Sequence, residues 1–181
     1  SQIILGSIEG IYTGTAQASS GPSTTLTNAE TGKPVVLSIP AGTSLTCQTT
    51  FKEAGLAVAD PAFGYPLGLV DFCFSGAQAS NDVTFTFVTD LKARDLVARK
   101  YSTTNKSYTT IDGATITDTT YQGQPAVQIT YTIEDNGPLD LNPVTGEVSD
   151  PVGLAVADIT PPATGIAPAN STNPRLATLP V

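Results

Sequence analysis

Histidine, methionine and tryptophan are all absent from this chain. Without histidine, the commonest general base and the commonest zinc ligand are missing. Without tryptophan, any sugar-stacking platform rests on tyrosine alone. Charge is also scarce: 13% of residues are charged, against about a quarter in ordinary soluble domains. The formal net charge of −8 argues against nucleic-acid binding, since no basic patch is available to displace phosphate counterions. The one modest basic group is Lys92, Arg94, Arg99 and Lys100. No apolar run approaches the roughly 20 residues needed to span a bilayer.

Thr, Ser, Gly, Pro and Ala take the place of the missing charges, and β-branched Thr and Val suit strands better than helices. The expected fold class is all-β, an antiparallel β-sandwich of immunoglobulin-like or jelly-roll-like form. At 181 residues the chain can bury a core without metals. The lack of an initiating methionine makes Ser1 the expected mature N-terminus after signal-peptide removal, which places the protein outside the cell or on its surface. The two cysteines, Cys47 and Cys73, are not in a CxxC arrangement. An isolated pair in such a chain is expected to form a disulfide stapling two strands or two sheets, with a stabilisation of about 3–4 kcal/mol.

Three regions follow from the pattern: an N-terminal arm and candidate donor strand over residues 1–18, a sandwich domain over 19–159, and a Pro-punctuated extended tail over 160–181. Residues 19–33 read as a loop or loose hairpin. Strands are expected at 34–39 and 43–50, joined by Pro40-Ala41-Gly42, and at 65–75 and 82–89. In 82–89, Val83, Phe85 and Phe87 alternate with Thr84, Thr86 and Val88. Residues 91–100 look helical, but their strand neighbours favour a single turn leading into a strand at 96–101. A strand at 108–111 follows, then a hairpin of 114–119 with 125–133 about the turn 121–124. An acidic loop over 134–150 precedes a short strand at 152–157.

The block from about residue 65 to 158 resembles the choice-of-anchor U domain family of bacterial surface proteins. The likeness lies in YPLGLVDFCFSG at its start, in Lys100-Tyr101, in YTTIDGATI, and in DNGPLDLNPVTGEVSDPVGLAV at its end. It covers about half of the chain. The loop before the last strand has fewer aspartates than that family's and gains Pro138 and Pro143, and Cys73 is a further departure. The resemblance implies an extracellular, mostly β domain with a structural or adhesive role and no catalytic residues.

Asp135, Asp140, Asn142, Glu147 and Asp150 in the acidic loop could hold Ca²⁺, which takes about six to eight oxygen ligands. Their spacing does not fit an EF-hand, and a solvated acidic turn is the competing reading; otherwise no cofactor is expected. A glycosidase carboxylate pair lacks an aromatic platform, so the chain is not expected to be an enzyme. A Lys–Asn or Lys–Asp isopeptide crosslink is chemically open, but these residues are too common for a pair to be nominated. Asn105 and Asn170 lie in Asn-X-Ser/Thr sequons.

The N-terminal arm carries the most specific functional expectation. Ile3, Ile4, Leu5, Ile8 and Ile11 make it apolar, and Ile4 and Ile8 share one face of an extended strand with Gly6 between them. Such an arm can pair with an open sheet edge on another copy. Repeated head to tail, that contact builds a filament. The expected function is therefore a structural subunit of a pilus-like extracellular filament or surface layer whose partners are copies of itself. The alternative is a monomeric cell-surface adhesin or carbohydrate-binding sandwich module.

Overall fold

The computed structural model describes residues 21–157; the arm and the tail lie outside them. Eleven strands form two antiparallel sheets packed face to face. Sheet 1 combines β1 (Ser23–Thr27), β2 (Pro34–Ser38), β6 (Ser80–Val88), β10 (Gln124–Glu134) and β9 (Thr115–Tyr121), in the order β1-β2-β6-β10-β9. Sheet 2 combines β3 (Ser44–Phe51), β5 (Leu69–Ser75), β11 (Glu147–Ala157), β7 (Val97–Ser102) and β8 (Ser107–Thr110), in the order β3-β5-β11-β7-β8. The short β4 (Phe63–Gly64) pairs with the end of β11. The all-β sandwich expected from composition is the fold observed.

Period-two alternation builds the core. Val35 and Leu37 of β2, Val83, Phe85 and Phe87 of β6, and Val127, Ile129, Tyr131 and Ile133 of β10 face inward from sheet 1. They meet Val70, Phe72 and Phe74 of β5, Ala98 of β7, and Val148, Val152 and Leu154 of β11. Phe72 meets Phe85 edge to face across the interface, with ring centroids 5.1 Å apart, the geometry favoured by the ring quadrupoles. A smaller cluster lies on the far side of sheet 2, where Tyr65, Leu69, Tyr101 and Ala155 are buried among Phe51, Leu56, Phe63 and Tyr108. Burial on both faces explains why the β5 and β11 segments read as nearly continuous apolar runs. Gly153 belongs to this side of β11: a Cβ there would lie 2.7 Å from the Tyr65 ring.

Several boundaries differ from the sequence expectation. Residues 23–27 form a strand, because Thr24, Thr25 and Leu26 pair with β2 in a regular hairpin. The strand expected from residue 65 begins at Leu69, since a turn closes from the Gly68 N–H to the Tyr65 carbonyl, with Gly68 at φ +60°. The last strand begins at Glu147 and continues through Pro151. Proline is tolerated there because β7 pairs only with Val152 to Ala155, leaving β11 a partner on one flank at Pro151. The turn between β9 and β10 is the two-residue Gln122-Gly123, both at positive φ, as a tight hairpin requires. A single 3-10 turn, Ala93–Asp95, leads into β7 as expected.

Cys47 and Cys73 form the expected disulfide, and it joins neighbouring strands of one sheet. They are opposite each other in the β3–β5 ladder, with Cα atoms 4.8 Å apart. A register irregularity between Leu45 and Cys47 makes this arrangement work. In an unbroken strand these two residues would share a face, but here Leu45 packs on the core opposite Phe74 while Cys47 meets Cys73 on the other side. The bond encloses a short loop, at a sequence separation of 26. Replacing both cysteines by alanine should lower stability in urea titrations by about 3–4 kcal/mol with no change of fold by circular dichroism.

Candidate functional site

The most unusual chemistry of the described residues lies inside the sandwich. In the sequence VARKYS of β7, alternation sends Arg99 to the outer face and Ala98 and Lys100 to the inner one. Lys100 stands opposite Val152 on β11, and Asp150 lies one pleat further along the same face. Both are withdrawn from solvent, with side chains 3% and 0% exposed. The Lys100 Nζ donates to Asp150 Oδ1 and to the carbonyl of Leu139. From the facing sheet, the Tyr131 hydroxyl donates to Asp150 Oδ2 at 2.8 Å.

Burial pushes the Asp150 carboxyl up to about 6, although the Lys100 charge and the hydrogen bonds from Lys100 and Tyr131 pull it down. Tyr131 is pushed well above the usual phenol range, first by burial and then by the Asp150 carboxylate beside it. Asp71 of β5 also raises Asp150 electrostatically, yet it pairs with Pro151 and the pleat turns it to the opposite face of the sheet. The site thus contains an amine, a carboxyl and a phenol closed off from water. Taking an ion pair out of water costs several kcal/mol per ion in practice, so such a site stands only where every polar atom finds a partner.

The acidic loop covers this site. Leu139 packs against the core and turns its carbonyl inward to Lys100. On its outward side, Pro138 and Leu139 form one wall of an open pocket of about 450 Å³. Thr109 and Thr110 from β8, and Thr132 and Glu134 from β10, form the others.

The five calcium candidates do not converge. Asp135 accepts the Gly146 N–H, and Asp140 accepts those of Asn136, Asn142 and Ser149. Asn142 binds Val144 N–H and Glu147, while Asp150 faces the core. Their oxygens hold the loop in shape. Among the described residues, no three His, Cys, Asp or Glu side chains are grouped to hold a metal ion. Asn105 sits exposed in the β7–β8 turn, accepting from the Ser107 hydroxyl. Asn170 and the arm residues Ile3, Ile4, Leu5, Ile8 and Ile11 lie outside the described residues. Lys92, Arg94, Arg99 and Lys100 form no basic patch, because two are exposed while Arg99 and Lys100 are on opposite faces of β7.

Sequence reading missed the Lys100–Asp150–Tyr131 site, although a signal was present. Val148, Val152 and Leu154 alternate on one face of the last strand, and Asp150 occupies the same phase. Pro151 concealed this by looking like a strand break. A second cluster was missed as well. Asp60, with its side chain fully buried, accepts from the Tyr65 hydroxyl at 2.7 Å and from Arg99 Nη2 at 2.8 Å. The Arg99 guanidinium also lies 4.2 Å from the Phe63 ring centroid, within cation–π range. This cluster pins residues 52–64 over the outer face of sheet 2.

No protein-family model, curated protein or solved structure matches this chain. No described helix is long and apolar enough to cross a membrane.

Burial alone would raise the Asp60 carboxyl, but its hydrogen bonds from Tyr65, Arg99 and Ala62 and the Arg99 charge hold it below the ordinary value of 3.8. Its stabilising contribution is therefore present above that value and disappears as pH falls through the lower folded value. Asp60→Asn should flatten the acid limb of a stability-versus-pH curve. Arg99→Met, which leaves Asp60 buried without its partner, should cost about 3–5 kcal/mol at neutral pH in urea titrations.

Proposed function

We propose that this protein is a structural subunit of an extracellular filament or surface layer, joined to its neighbours by β-strand addition. The observation that carries the reading is an open flank on sheet 1. β9 pairs with β10 only as far as Thr130, whereas β6 pairs with β10 as far as Glu134. On the β9 flank, residues 131–134 of β10 have no strand partner among the described residues, and the pocket bounded by Leu139 opens beside them. An added strand would find unpaired backbone along one side and an apolar hollow for alternate side chains. The arm matches those needs, with Ile4 and Ile8 on one face and Gly6 between them. The disulfide is compatible with an oxidising compartment, and the resemblance of residues 65–158 to a bacterial surface-protein family points the same way.

The pocket also supports the adhesin reading, because threonine hydroxyls and the Asp112 and Glu134 carboxylates are groups that can hydrogen-bond a sugar. Two perturbations separate these readings. Deleting residues 1–10 should convert filaments seen by negative stain into monomers. Thr132→Arg, at an exposed pocket-lining position, should do the same while leaving the fold intact. Unchanged assembly in both variants would sink strand addition, and glycan binding by a non-assembling native chain would select the adhesin.

A further inference from the structure

We propose that Lys100 and Asp150 condense into an intramolecular isopeptide bond, covalently joining β7 to β11 inside the sandwich. The proposal rests on the buried site alone and stands whether or not subunits exchange strands.

The arrangement supplies each part of the reaction. Nζ lies against Asp150 Oδ1, with Leu139 O as its other acceptor, while Oδ2 is held from the opposite sheet by the Tyr131 hydroxyl. A proton passes from the ammonium to Oδ1, leaving a neutral amine beside a neutral carboxylic acid. Water exclusion favours that exchange from the carboxyl side, because burial disfavours the carboxylate and raises the Asp150 carboxyl. The nitrogen lone pair then attacks Cγ, and the charge that develops on Oδ2 is met by the Tyr131 O–H in the manner of an oxyanion donor. A second proton moves from nitrogen to Oδ1. The Cγ–Oδ1 bond breaks and this oxygen leaves as water. One ammonium and one carboxylate become one amide and one water, with no oxidant or co-reactant.

The product fits the site better than the reactants do. Its carbonyl oxygen, the former Oδ2, keeps the Tyr131 hydrogen bond. Its N–H keeps the Leu139 carbonyl. Both charges vanish from a place with no water to solvate them. Proximity supplies the rate, since a bimolecular condensation becomes a reaction between groups already in contact and held by packed strands. No other carboxylate lies on the inner face of the strands flanking the pair: Asp71 is on the far side of β5, and Asp60 is on the outer face with Arg99. That leaves Tyr131 as the catalytic residue, since it alone touches the reacting carboxyl besides Lys100.

The bond would close a ring at a sequence separation of 50, which takes in β8, β9 and β10. The decisive measurement is the intact mass of the full folded chain after reduction of its disulfide. A mass one water below that of the sequence is expected, together with a branched tryptic peptide linking Lys100 to the segment containing Asp150. Lys100→Met and Asp150→Ala should each restore the full mass. Tyr131→Phe should slow the loss of water during refolding by at least tenfold. A folded native protein at full mass, with Lys100 in an unbranched peptide, overturns the proposal. So does a water loss that maps to other residues. Because the native chain decides the matter, a variant that fails to fold leaves the test intact.

Discussion

Strand β11 has to bury both of its faces, and most of the molecule is arranged around that requirement. As the middle strand of sheet 2, it has β5 on one flank and β7 on the other. Its inner residues Val148, Val152 and Leu154 are covered by sheet 1, while Ala155 on the outer side is covered by aromatic residues. A strand of a two-sheet sandwich ordinarily exposes one face. Here residues 52–64 supply the missing layer, and Gly153, lacking a Cβ, lets the Tyr65 ring approach the β11 backbone closely. The segment has little regular structure of its own. It stays in place because Arg99 reaches from β7 to grip Asp60, while Tyr108 donates to the Val58 carbonyl.

The same strand brings a carboxylate into the core. Replacing a buried ion pair by apolar residues is often neutral or stabilising, so Lys100 and Asp150 are a poor choice if stability through packing were their only role. They also make the surrounding design exacting. Tyr131 must reach across from sheet 1, and the loop after β10 must fold so that Leu139 presents a carbonyl inward. The acidic loop's own carboxylates serve that end by binding backbone N–H groups at Asn136, Asn142, Gly146 and Ser149. These bonds make the loop a self-capped cover over the buried Lys100–Asp150 pair. A covalent product would account for two charged groups standing where a pair of leucines would pack more cheaply.

Period-two patterns made most of the sheets legible. Val83, Phe85 and Phe87 announced β6 with the correct face, and the turn signal at 121–124 announced the hairpin leading into β10. What could not be read was the behaviour of residues whose local signal conflicts with their tertiary place. Pro151 signals a break, yet it sits in a strand just before the stretch that β7 pairs with, where one flank is free. The threonines of β1 signal a loop, yet they pair because β2 offers them an edge. Lys100 signals a surface, and nothing short of the strand order reveals that its partner lies fifty residues away on a neighbouring strand. The N-terminal arm is a different case: its apolar alternation was plain, but it lies outside the described residues, and the flank proposed to accept it shows only in the unequal lengths of the β9 and β6 ladders.

The placement of the crosslinks bears on how such a subunit would carry load. Adjacent strands of a sheet pulled from their ends resist through backbone hydrogen bonds, and β11 is the strand that leaves the described domain toward the tail. In sheet 2 the disulfide joins β3 to β5 and the proposed Lys100–Asp150 bond would join β7 to β11, leaving the β5–β11, β7–β8 and β4–β11 ladders without a covalent link. Sheet 1 has no such link among the described residues, and its β10 flank is open. A sheet committed to covalent rigidity and a sheet left free to accept a strand are different demands. They would be compatible in one domain because the core between the two sheets is close-packed, so force entering through a strand added on β10, if subunits assemble as proposed, would pass by way of Tyr131 and the phenylalanine contacts into the stapled sheet. Under that division of roles, weakening the interior around Phe72 and Phe85 would uncouple the two sheets before either lost its own strands.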